Sequence, residues 1–146
     1  MDQQRTDEAM TACAELSRTT AAVVNAIDRG LGMVQGLGFT DLMLLRALDG
    51  PGGASLRRID LARRLGLSAS AVTRALLPLE KIGLVAREPD PRDARASRAV
   101  LTDTGRQRLR EAEDTFGDRA TSLLDRLSPD DVAELTRILH LIAPPT

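Results

Sequence analysis

Ser70, Thr73, Arg74 and Leu77 recur at three- and four-residue steps, which places them on one side of a helix. Two hydroxyls, a guanidinium fork and a leucine form a surface suited to the major groove of DNA. The hydroxyls bond phosphate oxygens, the fork meets the acceptors on a guanine edge, and the leucine touches a thymine methyl. Ser68 stands just ahead as an N-cap, so the free N–H groups of the helix start can also face a phosphate. Further along, Asp90-Pro91-Arg92-Asp93-Ala94-Arg95 carries two guanidinium groups on what reads as a projecting tip. Arg92 and Arg95 there are suited to an adjacent minor groove, whose narrow A·T-rich stretches attract arginine. Asp93 reads as the orienting partner of Arg95, because a carboxylate facing phosphates is repelled.

The 146 residues hold 20 Lys+Arg and 21 Asp+Glu, a formal net charge of −1 that argues against a nucleic-acid partner when taken whole. Its distribution argues the other way. From Arg57 to Arg98 there are ten basic and five acidic residues, so this segment is +5 and the rest of the chain −6. All the basic residues but Lys81 are arginine, the fork-shaped cation that suits phosphates and guanine. A basic segment on acidic flanks is an electrostatic footprint for duplex binding with release from wrong sites as salt competes.

Other chemistry finds little material. One Cys (Cys13), one His (His140) and no Tyr or Trp leave neither a nucleophile–base pair nor a metal-ligand set, so no enzyme and no cofactor is expected. Gly50-Pro51-Gly52-Gly53 lacks the Lys-Ser/Thr ending of a phosphate loop. Cys13 reads as a helix-packing thiol and His140 as structural. A single cysteine excludes an internal disulfide, and neither a leader nor a run of about 18 apolar residues is present, so a cytoplasmic protein without a membrane partner is expected.

The elements that must position these residues follow from periodicity. With only Phe39 and Phe116 as aromatics, the core is built from aliphatic side chains and a mainly α fold is expected. A long helix spans Thr6 to Val34. After Gly36-Leu37-Gly38, Thr40 caps a short helix from Asp41 to Leu48, with Phe39 and Leu44 as a hydrophobic staple. A loop, Asp49 to Gly53, follows. Arg58–Leu65 forms a helix with Ile59, Ala62 and Leu65 inward, stopped by Gly66. Ala69–Ile82 forms the next, burying Val72, Ala75, Leu76, Leu79 and Ile82. Two short helices around a glycine turn make a helix-turn-helix.

Leu84–Arg87 and Arg98–Leu101 read as two short strands joined by a ten-residue tip, Glu88 to Ser97. Thr102 caps a helix to about Leu127, Ser128 caps a last one with Val132, Leu135, Ile138, Leu139 and Ile142 inward, and Pro144-Pro145 stops it. The apolar stripes of the terminal helices exceed what a small central unit needs, which points to a second subunit related by two-fold symmetry. A monomeric bundle closing on itself is the alternative. Residues 1–35 are thus expected to form an N-terminal dimerisation helix, 36–103 a winged helix-turn-helix DNA-binding region, and 104–146 C-terminal dimerisation helices of one compact protomer.

Asp60-Leu61-Ala62-Arg63-Arg64-Leu65-Gly66-Leu67-Ser68, Val72-Thr73-Arg74, Leu79-Glu80-Lys81-Ile82-Gly83-Leu84-Val85, Asp93-Ala94-Arg95 and Leu101-Thr102-Asp103-Thr104-Gly105 stand in the order and spacing of one family. In these pieces the chain resembles the MarR (multiple antibiotic resistance regulator) family of transcription factors. The resemblance implies a homodimeric repressor that binds a pseudo-palindromic operator on double-stranded DNA and is released by a small-molecule effector. It casts Arg74 as the base reader, Ser68, Ser70 and Thr73 as phosphate or base contacts, and Arg95 as the minor-groove residue positioned by Asp93. One branch of that family senses peroxide through a cysteine in its first helix, with tyrosine support that this chain lacks. Pro78 departs from the pattern and is expected to kink the recognition helix. A winged-helix module that holds a protein partner without specific DNA readout is the competing reading.

Overall fold

The computed structural model describes residues 2–50 and 54–143. The expected Pro51-Gly52-Gly53 part of the first loop and the Pro144-Pro145 stop lie outside the described residues. The chain runs α1 (Gln3–Val34), α2 (Phe39–Leu48), β1 (Leu56–Arg57), α3 (Arg58–Leu65), α4 (Ala69–Lys81), β2 (Val85–Asp90), β3 (Asp93–Leu101), α5 (Asp103–Leu123) and α6 (Pro129–Ile142). The fold is mainly α with a small antiparallel sheet in the order β1-β3-β2.

Asp2 caps α1 by accepting from the Gln4 N–H at 3.1 Å. The helix buries only its last third, through Ile27, Gly30 and Leu31. The N-cap of α2 is Gly38 rather than Thr40. Two carboxylates explain the shift: Asp41 accepts from the Gly38 N–H at 2.8 Å and Asp28, on α1, from the Phe39 N–H at 2.5 Å. Together they satisfy donors that a helix start leaves without partners. Phe39 is therefore inside the helix, and it packs on Phe116 of α5 with ring centroids 5.8 Å apart and planes 57° apart. Leu42, Leu44, Leu45 and Leu48 of α2 are fully buried and form the centre of the core.

β1 was not foreseen. It pairs antiparallel with β3, Leu56 opposite Ala99 and Arg57 opposite Arg98, and leads directly into α3. That entry sets the rotation of α3, which buries Leu61 and Ala62. Ile59, expected inward, lies about 200° around the helix from Leu61 and is 58 % exposed. α3 ends at Gly66 with φ +64°, and the Leu67 N–H reaches back to the Ala62 carbonyl at 2.9 Å, the six-to-one bond of a glycine-terminated helix. α4 ends in the same way at Gly83. Its buried face is Val72, Leu76 and Leu79. Ile82, expected to continue that face, is the C-cap, already outside helical geometry, and is 59 % exposed.

The two strands of the hairpin are longer than their apolar residues suggest. Glu88 pairs with Arg98 and Pro89 with Ser97, with a register shift at Pro89/Asp90, so Pro91 and Arg92 alone make the turn. This ribbon projects outward, so pairing rests on backbone bonds and on ion pairs such as Asp90 with Arg98, and no apolar alternation marks it.

Thr102 couples the sheet to α5. Its Oγ1 accepts from the Gly105 N–H at 2.9 Å and donates to the Gly83 carbonyl at 2.6 Å. Gly105 is buried against the Leu84 carbonyl so closely that a Cβ there would overlap the oxygen. α5 stops at Leu123, earlier than Leu127, and Leu124–Leu127 form a turn closed by a 2.9 Å bond. α6 begins with a capping box in which Ser128 and Asp131 bond each other's N–H groups. The residues expected inward on α6 are not buried in the protomer: Val132 is half-buried and Leu135, Ile138, Leu139 and Ile142 are 38–62 % exposed, because among the described residues no other element covers this face of the helix. Cys13 and His140 are likewise exposed rather than packed. Among the described residues, no single helix is long and apolar enough to cross a membrane.

Candidate nucleic-acid interface

α4 presents the face that its period requires. With Val72, Leu76 and Leu79 turned to the core, Ser70, Arg74 and Leu77 are exposed and Thr73 is half-buried at their edge. Ser68 caps the helix through its Oγ, which accepts from the Ala71 N–H at 3.1 Å. The positive end of the helix dipole and the N–H groups of Ala69 and Ser70 remain available beside it. Arg74 has no hydrogen bond or ion pair among the described residues. α4 continues through Pro78 to Lys81 as one helix. Pro78 withholds the one N–H that would have reached the Arg74 carbonyl, so the lost bond falls at the very residue whose side chain is free.

The wing is organised by a residue that sequence reasoning counted only as a charge. Asp90 is 4 % exposed and is the one buried charged residue among those described. Its carboxylate accepts from the Arg92 backbone N–H at 2.9 Å and from Arg57 Nε, and lies 3.5 Å from Arg98 Nε. The Arg92 N–H, and then the Arg57 guanidinium, hold its pKa down at about 2 against the opposing effect of burial. Arg57 is in turn raised above its ordinary value, chiefly by its hydrogen bond to Asp90. Arg98 also donates through Nη1 to the Ser55 carbonyl at 3.2 Å. The available signal was an Asp immediately before Pro at a hairpin tip, a residue type whose side chain closes turns onto the N–H two residues on. Asp93 does the same for Arg95, accepting from its backbone N–H at 2.9 Å. It therefore orients the Arg95 main chain and leaves the guanidinium free.

Ion pairing sorts the basic segment in two. Arg57 and Arg98 are held by Asp90, Arg63 lies 3.8 Å from Asp60, and Arg87 is 3.0 Å from Glu80. Arg58, Arg64, Arg74, Lys81, Arg92 and Arg95 have side chains without an ion-pair partner among the described residues. Asp60, Glu80 and Asp90 thus neutralise four of the arginines, while the recognition helix and the wing tip keep cations without an ion-pair partner among the described residues.

A helix pair with a glycine turn, followed by a two-stranded ribbon and a third short strand, defines a winged helix-turn-helix protein. The family model described as MarR family matches residues 39–97. Residues 39–97 thus carry a MarR family domain, and the members of that family are transcription regulators and not enzymes. YkoM, an uncharacterized HTH-type transcriptional regulator of Bacillus subtilis (strain 168), is 33 % identical over 100 residues, 68 % of this chain and 64 % of that protein. The chain spans less than two thirds of the length of the curated relatives it matches. The crystal structure of the transcriptional regulator BldR from Sulfolobus solfataricus superposes with a TM-score of 0.86 at 27 % identity, covering 97 % of each chain. That of Sco3205, a MarR family transcriptional regulator from Streptomyces coelicolor in complex with DNA, gives 0.82 at 29 % identity, covering 93 % of this chain and 86 % of the other.

Proposed function

We propose that this protein is a sequence-specific DNA-binding regulator that acts as a homodimeric repressor on a pseudo-palindromic operator and is released by a small effector. The observation that carries the reading is the sorting of cations: Arg74 on the exposed face of α4 and Arg92 and Arg95 on the wing have no ion-pair partner among the described residues, while Arg57, Arg63, Arg87 and Arg98 are paired. In this reading α4 enters the major groove. Arg74 takes a guanine edge, Ser68, Ser70 and Thr73 meet phosphates or bases, and Leu77 lies against a thymine methyl. The wing follows the backbone, and Arg95, with Arg92 beside it, reaches the minor groove. The Sco3205 complex with DNA, on the same fold, supports the reading.

A second copy is the partner that suits the terminal helices. α6 buries no residue in the protomer and exposes Leu135, Ile138, Leu139, Leu141 and Ile142. The first half of α1 is exposed apart from Thr6, with Met10 and Leu16 among its exposed residues. A contiguous apolar surface of this kind marks an interface. Because the two copies are identical, two-fold pairing would place two recognition helices on half-sites one helical turn, or a multiple, apart.

Fluorescence anisotropy with fragments of genomic DNA tests the reading. Salt-dependent binding to a selected sequence with two half-sites is expected. Absence of salt-dependent binding to any fragment would leave the competing protein-interaction module as the better account.

A further inference from the structure

α4 carries a proline where a helix tolerates one least, in its interior, and Pro78 lies on the exposed side. Val72, Leu76 and Leu79 fill the core side of the helix, so the ring contributes no core packing. What it changes is the Arg74 carbonyl, which loses the N–H four residues on and meets ring carbons instead. We infer that this main-chain oxygen is itself a base-reading group. In the major groove it accepts from an exocyclic amino group, cytosine N4 or adenine N6, in the base pair beside the one that the Arg74 side chain reads. The inference goes beyond the proposed function and rests on it for the placement of α4 in the groove.

Three observations support it. The first is an unmet acceptor: Pro78 has no N–H to offer, and no side chain donates to the Arg74 carbonyl among the described residues. The second is its direction. Residues four apart lie one above the other on a helix, so the carbonyl runs along the stripe shared by Arg74 and Pro78, both of them exposed. The ring carbons crowd the oxygen and turn it away from the helix axis, the outward tilt that solvent-side carbonyls adopt. The third is room for the backbone to approach. Before Arg74 the outer side of α4 is made of Ala69, Ser70, Ala71 and Thr73, so no side chain longer than threonine's holds the first turns away from the base edges. One residue then reads with both chemical signs. The fork donates to guanine O6 and N7, and the carbonyl accepts from an amino group, which guanine and thymine do not present in the major groove.

The test uses the full chain and an operator selected from genomic fragments. Purine replaces single adenines and 2-pyrimidinone single cytosines, so that each amino group is removed in turn. Anisotropy should show one position in each half-site where removal weakens binding by about fivefold, the scale of one neutral hydrogen bond. Pro78→Ala supplies the missing N–H and favours the helix, so it should raise Tm, and removal at that position should cost it about twofold or less. The weaker base pairing of the altered duplex is common to both proteins and cancels between them. Lactic acid in place of Pro78 leaves an ester with neither ring nor N–H, and this form should keep the parent's loss. The inference is overturned if no position depends on its amino group, or if Pro78→Ala depends on it as the parent does. It is equally overturned if the lactic acid form behaves as the alanine variant, which would assign the effect to the shape of the ring. If no form shows salt-dependent binding to any fragment, the regulator reading itself falls and the inference with it.

Discussion

The Asp90 carboxylate lies 3.5 Å from Arg98 Nε while accepting a hydrogen bond from Arg57, so one buried charge joins β1, β3 and the hairpin turn. Removing that charge strands two guanidinium groups, one of them with a buried Nε that has no other partner among the described residues. Asp90→Asn should therefore lower Tm and reduce amide hydrogen-exchange protection across β2 and β3, with α4 less affected. DNA affinity should fall through the wing, which a footprint would register as lost minor-groove contact beside an intact major-groove one.

The same group sets a pH window. Its folded pKa of about 2 lies below the ordinary aspartate value of about 3.9. A depressed carboxylate contributes stability that is complete above its unfolded pKa and is lost as pH falls through the folded one. Stability measured by denaturant titration should thus decline between about pH 4 and pH 2, and the Asp90→Asn variant should lack that component of the decline.

Arg74→Ala should weaken specific DNA binding by about 1–3 kcal/mol and relax the preference at one base pair in each half-site. Arg95→Ala should instead weaken the preference for A·T-rich flanks. Anisotropy against single-base-pair operator variants separates the two. Unchanged affinity in both variants would contradict the docking described for α4 and the wing.

Gly105→Ala should be among the more damaging small substitutions in the chain. Its methyl would meet the Leu84 backbone carbonyl, which cannot swing aside as a side chain can. Overpacking of this kind costs about 1–3 kcal/mol or more, and a lowered midpoint in urea at unchanged slope is the expected reading.

Leu139→Glu or Ile138→Glu, on the exposed face of α6, should leave the protomer folded and convert a dimer to monomers. Ultracentrifugation with circular dichroism would show a halved mass at constant helicity. Persistence of the dimer would place its interface elsewhere.

The order of helices and the recognition face of α4 were legible because an amphipathic period and a capping serine are local signals. Ser68, Val72, Leu76 and Leu79 sit where spacing alone puts them. The errors have physical causes of other kinds. β1 is two residues long and exists only through its pairing with β3, a contact far away in the chain. The rotation of α3 depends on that strand, so Ile59 was turned the wrong way. Glu88 to Ser97 looked like a loop because an exposed ribbon carries no apolar alternation. At the interface, charge counting found the basic segment but not its internal sorting. Which arginine is free depends on which carboxylate lies near it in space, and Asp90 draws its partners from opposite ends of the segment.

Thr102 and Gly105 lock the start of α5 to the end of α4 and to β2, so recognition helix, wing and long helix turn as one arm. At 1.5 Å per residue, the 21 residues of α5 make that arm about 31 Å long. A swing of about 6° at its far end would carry the arm's tip by about 3 Å, close to the 3.4 Å step between successive bases along one strand. In a two-headed assembly, the phase of the heads along the duplex would hang on an angle too small to disturb any contact within either head.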